Sequence, residues 1–329
     1  MNTATENYSI QKKLTLITVI LFAVKILAWY ITHSVAILTD TLEYTINLIS
    51  CFVGLYSLYI SACPPDENHP YGHGKVEFLS AAVEGTLMII SSFLIIYEAI
   101  NNFNHPHHIT QLDYGIYLIA ATAIINYAMG YYAIRRGKKN NSLALLATGK
   151  HMQSDTYATV GVVVGLILIA FTKYVWIDSI VALVFAFIII ITGYKILRHS
   201  IAGIMDEADK TLLTKVVALF NTSRRENWID LHNLRIIKYG SILHLDCHLT
   251  VPWYLNVTEA HKEVEALEQL VKENFGESVE LFVHTDACLH FSCKICTKTA
   301  CTQRQFNFVK RIDWTVDNIS TNSKHKIDL

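Results

Sequence analysis

Apolar positions crowd into six runs in the first two thirds of the chain and thin out afterwards. A bilayer core about 30 Å thick takes roughly 20 mostly apolar residues as a helix. Runs of that length lie at Leu14 to Thr32, Ala36 to Ile60, Phe78 to Ile100, Tyr114 to Ile134, Leu143 to Phe171 and Val175 to Leu197. The fifth is the least apolar, because His151, Gln153, Ser154 and Asp155 interrupt it. Six membrane-spanning helices are expected. The polar Met1 to Gln11 and the length of the first run do not fit a cleavable signal peptide.

After Ser200 the pattern changes to that of a soluble α+β domain. Lys210 to Asn221 and Val257 to Phe275 carry apolar residues at helical spacing. Asn233 to Lys238, Ile242 to Val251 and Val279 to His284 alternate as strands, the first two joined by a turn at Tyr239-Gly240-Ser241. The order helix, strand, strand, helix, strand fits a three-stranded sheet backed by two helices. The expected division is a transmembrane domain over 1–204, an α+β domain over 205–290 and a cysteine-containing polar tail over 291–329. The last ten residues are expected to be disordered.

Composition agrees with spans. Hydrophobic residues make up 52% of the 329, and charged residues only 17%, against about 25% in soluble domains. A net charge of −1 gives no electrostatic basis for a nucleic-acid partner. Charge in the connections sets orientation. Lys12 and Lys13, then Lys75, then Arg135, Arg136, Lys138 and Lys139, and finally Lys195 and Arg198 mark one side. The connections at Thr32 to Ser34, Asn101 to Asp113 and Thr172 to Tyr174 are nearly free of Lys and Arg. Both termini are expected in the cytoplasm, where the crowded cysteines would stay reduced.

Chemistry enters through polar residues inside the spans. Glu43 with Asn47 in the second run, and His151 with Asp155 in the fifth, are pairs four residues apart. That spacing puts both members of a pair on one helix face. Ionisable groups at bilayer depth are costly and mark function by default. Two carboxylates, a neutral imidazole and an amide sum to −2, so one divalent cation would neutralise them. Zn²⁺, Mn²⁺, Fe²⁺ or Co²⁺ would suit such oxygen and nitrogen donors. Protons compete with metal for the same groups, which is the physical basis of proton-for-metal exchange. Asp40, one turn before Glu43, is read as a fifth ligand, a relay or a cap, with a supporting role favoured. Glu84 and Asn126 either line a path or bond neighbouring helices.

Three further constellations stand outside the spans. Asp66, His69 and His73 lie in a short connection where one turn could bring them to one cation. His232, His248, His261, His284 and Asp286 are spread over the strands and a helix of the α+β domain. Cys288-x4-Cys293-x2-Cys296-x4-Cys301, with His290 inside it, could hold zinc or another soft metal, or be free reduced thiols. There is no H-E-x-x-H motif of the metalloprotease kind, so a transporter rather than an enzyme is expected. A metal-responsive membrane sensor without transport is the alternative.

At these residues the chain resembles the cation diffusion facilitator family of divalent-metal transporters. The resemblance runs from Lys13 to about Cys288. Its most specific piece is Asp66 to Lys75, DENHPYGHGK, followed by Ser34 to Asp40, His151 to Asp155, and Met205-Asp206-Glu207. The resemblance implies a homodimer in the cell membrane and a cytoplasmic domain of metallochaperone-like fold. It also implies export, Zn²⁺ first among substrates, by alternating access coupled to proton entry. It carries the transport site to Glu43, Asn47, His151 and Asp155, a loop site to Asp66, His69 and His73, and cytoplasmic sites to the four histidines and Asp286. It pairs Lys75 with Asp206 in a salt bridge between domains. The family's second-span pair is usually His or Asp followed by Asp, so Glu43 and Asn47 depart from it. The cysteine motif lies outside the shared pattern.

Overall fold

The computed structural model describes residues 3–32, 35–104, 115–172, 176–240, 242–276 and 278–327, with backbone alone at 32, 35–40, 43, 102–104, 115–120, 162, 163, 165–170 and 178. The chain forms two compact units, Met1–Met205 and Asp206–Leu329.

The first unit holds six helices: α1 (Thr3–Thr32), α2 (Val35–Ser61), α3 (Val76–Asn104), α4 (Gly115–Lys139), α5 (Leu143–Thr172) and α6 (Trp176–Ile204). At 25 to 30 residues each is long enough to cross a bilayer. Among the described residues, α1, α2, α3 and α6 contain stretches apolar enough to qualify on hydropathy alone. The three connections expected to lack positive charge fall wholly or largely at 33–34, 105–114 and 173–175, outside the described residues.

Pairing follows α3 with α6, α4 with α5 and α1 with α2. Lipid offers no hydrophobic drive between helices, so close backbone approach has to hold them. Gly130 and Gly149 supply it for α4 and α5: a Cβ on Gly149 would sit 2.7 Å from the Gly130 carbonyl. The first helix begins at Thr3, eleven residues before the expected span. Its polar leading turns are buried and bonded rather than loose: Asn7 accepts from Asn140 at 2.7 Å, and Gln11 donates to the Cys51 carbonyl at 3.2 Å.

The second unit runs α7 (Lys210–Thr222), β1 (Asp230–Tyr239), β2 (Ile242–Val251), α8 (Val257–Phe275), β3 (Val279–Ala287) and a short α9 (Val316–Ile319). The sheet order is β1-β2-β3, antiparallel then parallel. Leu243, Leu245, Cys247, Leu249 and Val251 alternate onto the face covered by α7 and α8. β1 begins three residues earlier than its alternation suggests, because a bulge between His232 and Arg235 shifts its phase. Leu231 faces the core before the bulge, Leu234 within it and Ile236 after it. Asn233, at φ 53°, takes up the extra residue.

The segment 291–329, expected as a separate polar tail, is part of this unit. Trp314 and Ile319 are buried in the same core. Asn221 clamps the Trp314 backbone from both sides, and the Arg224 guanidinium stacks 4.1 Å from its ring. The last described residues are also bonded, His325 to Asp230 and Lys324 to Asp286. Their polarity reflects pairing with buried carboxylates, which hydropathy cannot distinguish from disorder.

Candidate metal centres

In the membrane unit, α2 packs against α3 and α5. Gly54 of α2 lies against Thr148 of α5, and the Ser50 hydroxyl is 3.1 Å from His151 Nδ1. Moving back along α2 thus moves forward along α5, so the helices run antiparallel. The same register carries Asn47 to the level of Asp155. His151 is buried and Asp155 half-buried, with Nε2 and Oδ1 3.9 Å apart. The side chains of Asp40 and Glu43 lie outside the described residues; the backbone of α2 puts them on the turns beyond Asn47.

Behind His151 runs a buried polar chain. Glu84 of α3 is fully buried and accepts the Thr148 hydroxyl at 2.7 Å. In the tautomer where the Ser50 oxygen accepts Nδ1–H of His151, Nε2 is bare toward Asp155, the arrangement a metal-ligating imidazole needs. A second polar layer joins Tyr44 of α2 to Asn126 of α4 at 3.1 Å, with Lys25 of α1 4.4 Å over the Tyr44 ring. Sequence reading passed over Lys25 and Ser50. Lys25 had a signal, as a lysine within an apolar span. Ser50 had none, since its role depends on which helix it faces.

Among the described residues, two sets of three ligand atoms lie within 4.8 Å of one another: those of Asp66, His69 and His73, and those of His232, His248 and Asp286. The first set forms on the turn joining α2 to α3. Asp66 Oδ1 accepts the backbone N–H of His69 at 2.7 Å and lies 3.0 Å from its Nδ1, while Oδ2 is 3.3 Å from His73 Nε2. The His69 N–H bond holds the Asp66 carboxyl below its usual range, against a smaller desolvation effect. Gly72, at φ 81°, makes the reversal that returns His73 to the carboxylate.

The second set sits on the sheet face away from α7 and α8. Register places His232 opposite His248, and His248 opposite His284. Ring centroids are 5.0 and 4.6 Å apart along this row. Asp286 Oδ2 lies 3.1 Å from His248 Nδ1 and 3.6 Å from His232 Nε2. Burial holds His232 below the ordinary imidazole value, against the pull of Asp230 and Asp286, so it is neutral and ready to ligate. Burial opposes ionisation of Asp230, but bonds from His325 outweigh it and hold that carboxyl low. His284 belongs to the row but is exposed and outside the tight set. His261 stands apart, paired with Glu265 at 3.5 Å on the exposed side of α8. The buried face of that helix is Glu263, Leu267 and Val271, and His261 is two residues out of phase with it.

Lys75 ends the turn before α3 in the first unit; Asp206, at φ 55°, opens the second. Cys288, Cys293, Cys296 and Cys301 belong to neither tight set and line a cavity of about 220 Å³ beyond the end of β3.

Residues 14–205 match the model of the cation efflux transmembrane domain, and residues 210–288 match that of the cation efflux protein cytoplasmic domain. The chain belongs to the cation efflux family. Its members are membrane transporters of divalent metal cations, not enzymes, and this chain is an integral membrane protein of that kind. It is 32% identical to an uncharacterized transporter of Synechocystis over 77% of this chain and 82% of the relative. It is 28% identical to the manganese efflux system protein MneS of Bacillus subtilis, over 77% and 87%. A cadmium, cobalt and zinc/H(+)-K(+) antiporter of Bacillus subtilis is 25% identical over 88% and 94%. Both family models end at or before Cys288, so the rest of the cysteine motif and the tail lie beyond the family's common domains.

Proposed function

We propose that the protein exports a divalent transition-metal cation from the cytoplasm in exchange for protons, by alternating access about Glu43, Asn47, His151 and Asp155. The observation that carries the reading is the buried His151–Asp155 pair on α5, with Nε2 and Oδ1 3.9 Å apart and Nδ1 held by Ser50 of α2. An imidazole with carboxylate and amide oxygens favours borderline cations, Zn²⁺ first. Mn²⁺ is the second reading, favoured by the relatives named for manganese efflux. With Glu43 and Asp155 ionised, one divalent cation makes the site neutral, and so do two protons. Either form can be closed off from water cheaply, whereas the bare doubly charged form cannot. The empty carrier therefore returns with protons aboard.

The protein works as a homodimer in the cell membrane, with both termini in the cytoplasm. The loop set at Asp66, His69 and His73 and the sheet set at His232, His248 and Asp286 bind metal as delivery or regulatory sites. His284, next in the row, completes the sheet set, while His261 stays outside it, and Asp40 supports the transport site.

The test is flux into proteoliposomes under an imposed pH gradient, comparing zinc with manganese, iron(II) and cobalt. Uptake driven by the gradient and abolished by Asp155→Ala is expected. Full transport by Asp155→Ala, or pH-independent uniport at clamped potential, would overturn the reading.

A further inference from the structure

The four cysteines after β3 are free thiols, and all four line one cavity. The Gln305 N–H donates to the Cys293 sulfur at 3.5 Å, and Trp253, Tyr254 and Lys298 line the same cavity beside the other sulfurs. Donors and cavity walls beside the sulfurs would orient and tune them as metal ligands. Arg304 adds positive charge at the same place. It donates to the carbonyls of Cys293, Cys296 and Lys298 at 2.9, 3.0 and 2.7 Å, which also ties the loop around the cavity. Cys288 and Cys296 are anchored with Ile229 and Ile295 in a small apolar cluster.

We propose that Cys288, Cys293, Cys296 and Cys301 form a tetrathiolate site for one thiophilic divalent cation of the zinc class, separate from the transport path. Four thiolates with one such cation carry −2, which Arg304 and Lys298 in the cavity wall offset. Each thiol that binds gives its proton to water. The four sulfurs now ring the cavity without any three closing to within 4.8 Å. The cation draws them inward, pinning the loop against the turn after β2. With four protein ligands and no open position, the site is structural in kind.

The experiment uses the full chain in detergent, reduced and stripped of metal, titrated with Co²⁺. Thiolate-to-cobalt charge-transfer absorption should saturate at one ion per chain and vanish on adding Zn²⁺. Bound zinc should slow alkylation of these four cysteines by about tenfold or more. The double variant Cys293→Ser, Cys296→Ser should lose the absorption and retain transport, so failure of this site and failure of the transport reading are separate results. Three results overturn the proposal: no charge-transfer band in the unaltered chain, the same band in the double variant, or iron with acid-labile sulfide in place of a single ion.

Discussion

Replacing Ser50 with alanine removes one hydroxyl from the inside of α2 and with it the partner of His151 Nδ1. Glu84 keeps its 2.7 Å bond from Thr148, so the carboxyl is not left bare. His151 loses the acceptor 3.1 Å from Nδ1 and with it the preference that leaves Nε2 free for metal. Losing such a partner typically costs about 10- to 100-fold in metal affinity, or about 1.4–2.7 kcal/mol. Calorimetric titration of the detergent-solubilised protein with zinc and manganese measures it directly. Ser50→Thr keeps a hydroxyl and should recover most of the loss. His151→Ala sets the full cost of losing the ligand. Wild-type affinity in Ser50→Ala, beside a large loss in His151→Ala, would refute the positioning role of Ser50 while leaving the ligand in place.

Three other outcomes are expected. Gly149→Ala should separate α4 from α5, since its Cβ would lie 2.7 Å from the Gly130 carbonyl; a loss of about 1–3 kcal/mol, read as a lower thermal midpoint in detergent, is expected, and an unchanged midpoint would contradict the close approach. Asp66→Asn removes the carboxylate that both loop histidines face and should lower metal stoichiometry by one equivalent in equilibrium dialysis, with unchanged stoichiometry arguing against that site. The carboxyl of Asp230 is held below its ordinary value, so its contribution to stability is complete above about pH 4 and is lost as pH falls through the lower folded value. His325→Ala should weaken that contribution by about 1.5–3 kcal/mol and raise the midpoint of acid unfolding followed by tryptophan fluorescence; a midpoint that stays put would show that His325 does not hold Asp230.

The sequence by itself determined the larger plan. Spans need length and apolarity, strands need alternation, and both are local properties of the chain. Six runs, the helix-strand order of the second unit and the i,i+4 pairs were legible for that reason. So was the loop set, whose three ligands lie within eight residues and close by one turn. Tertiary structure decided what depends on approach between distant segments. Antiparallel packing of α2 on α5 brought Ser50 to His151. Strand register, with a bulge that no period reveals, set His232, His248 and Asp286 together and left His261 on another surface. The tail also reads as polar and aperiodic. Its order comes from Trp314 in the core and from Lys324 and His325 on two carboxylates, contacts 38 to 95 residues apart in sequence that no local pattern encodes.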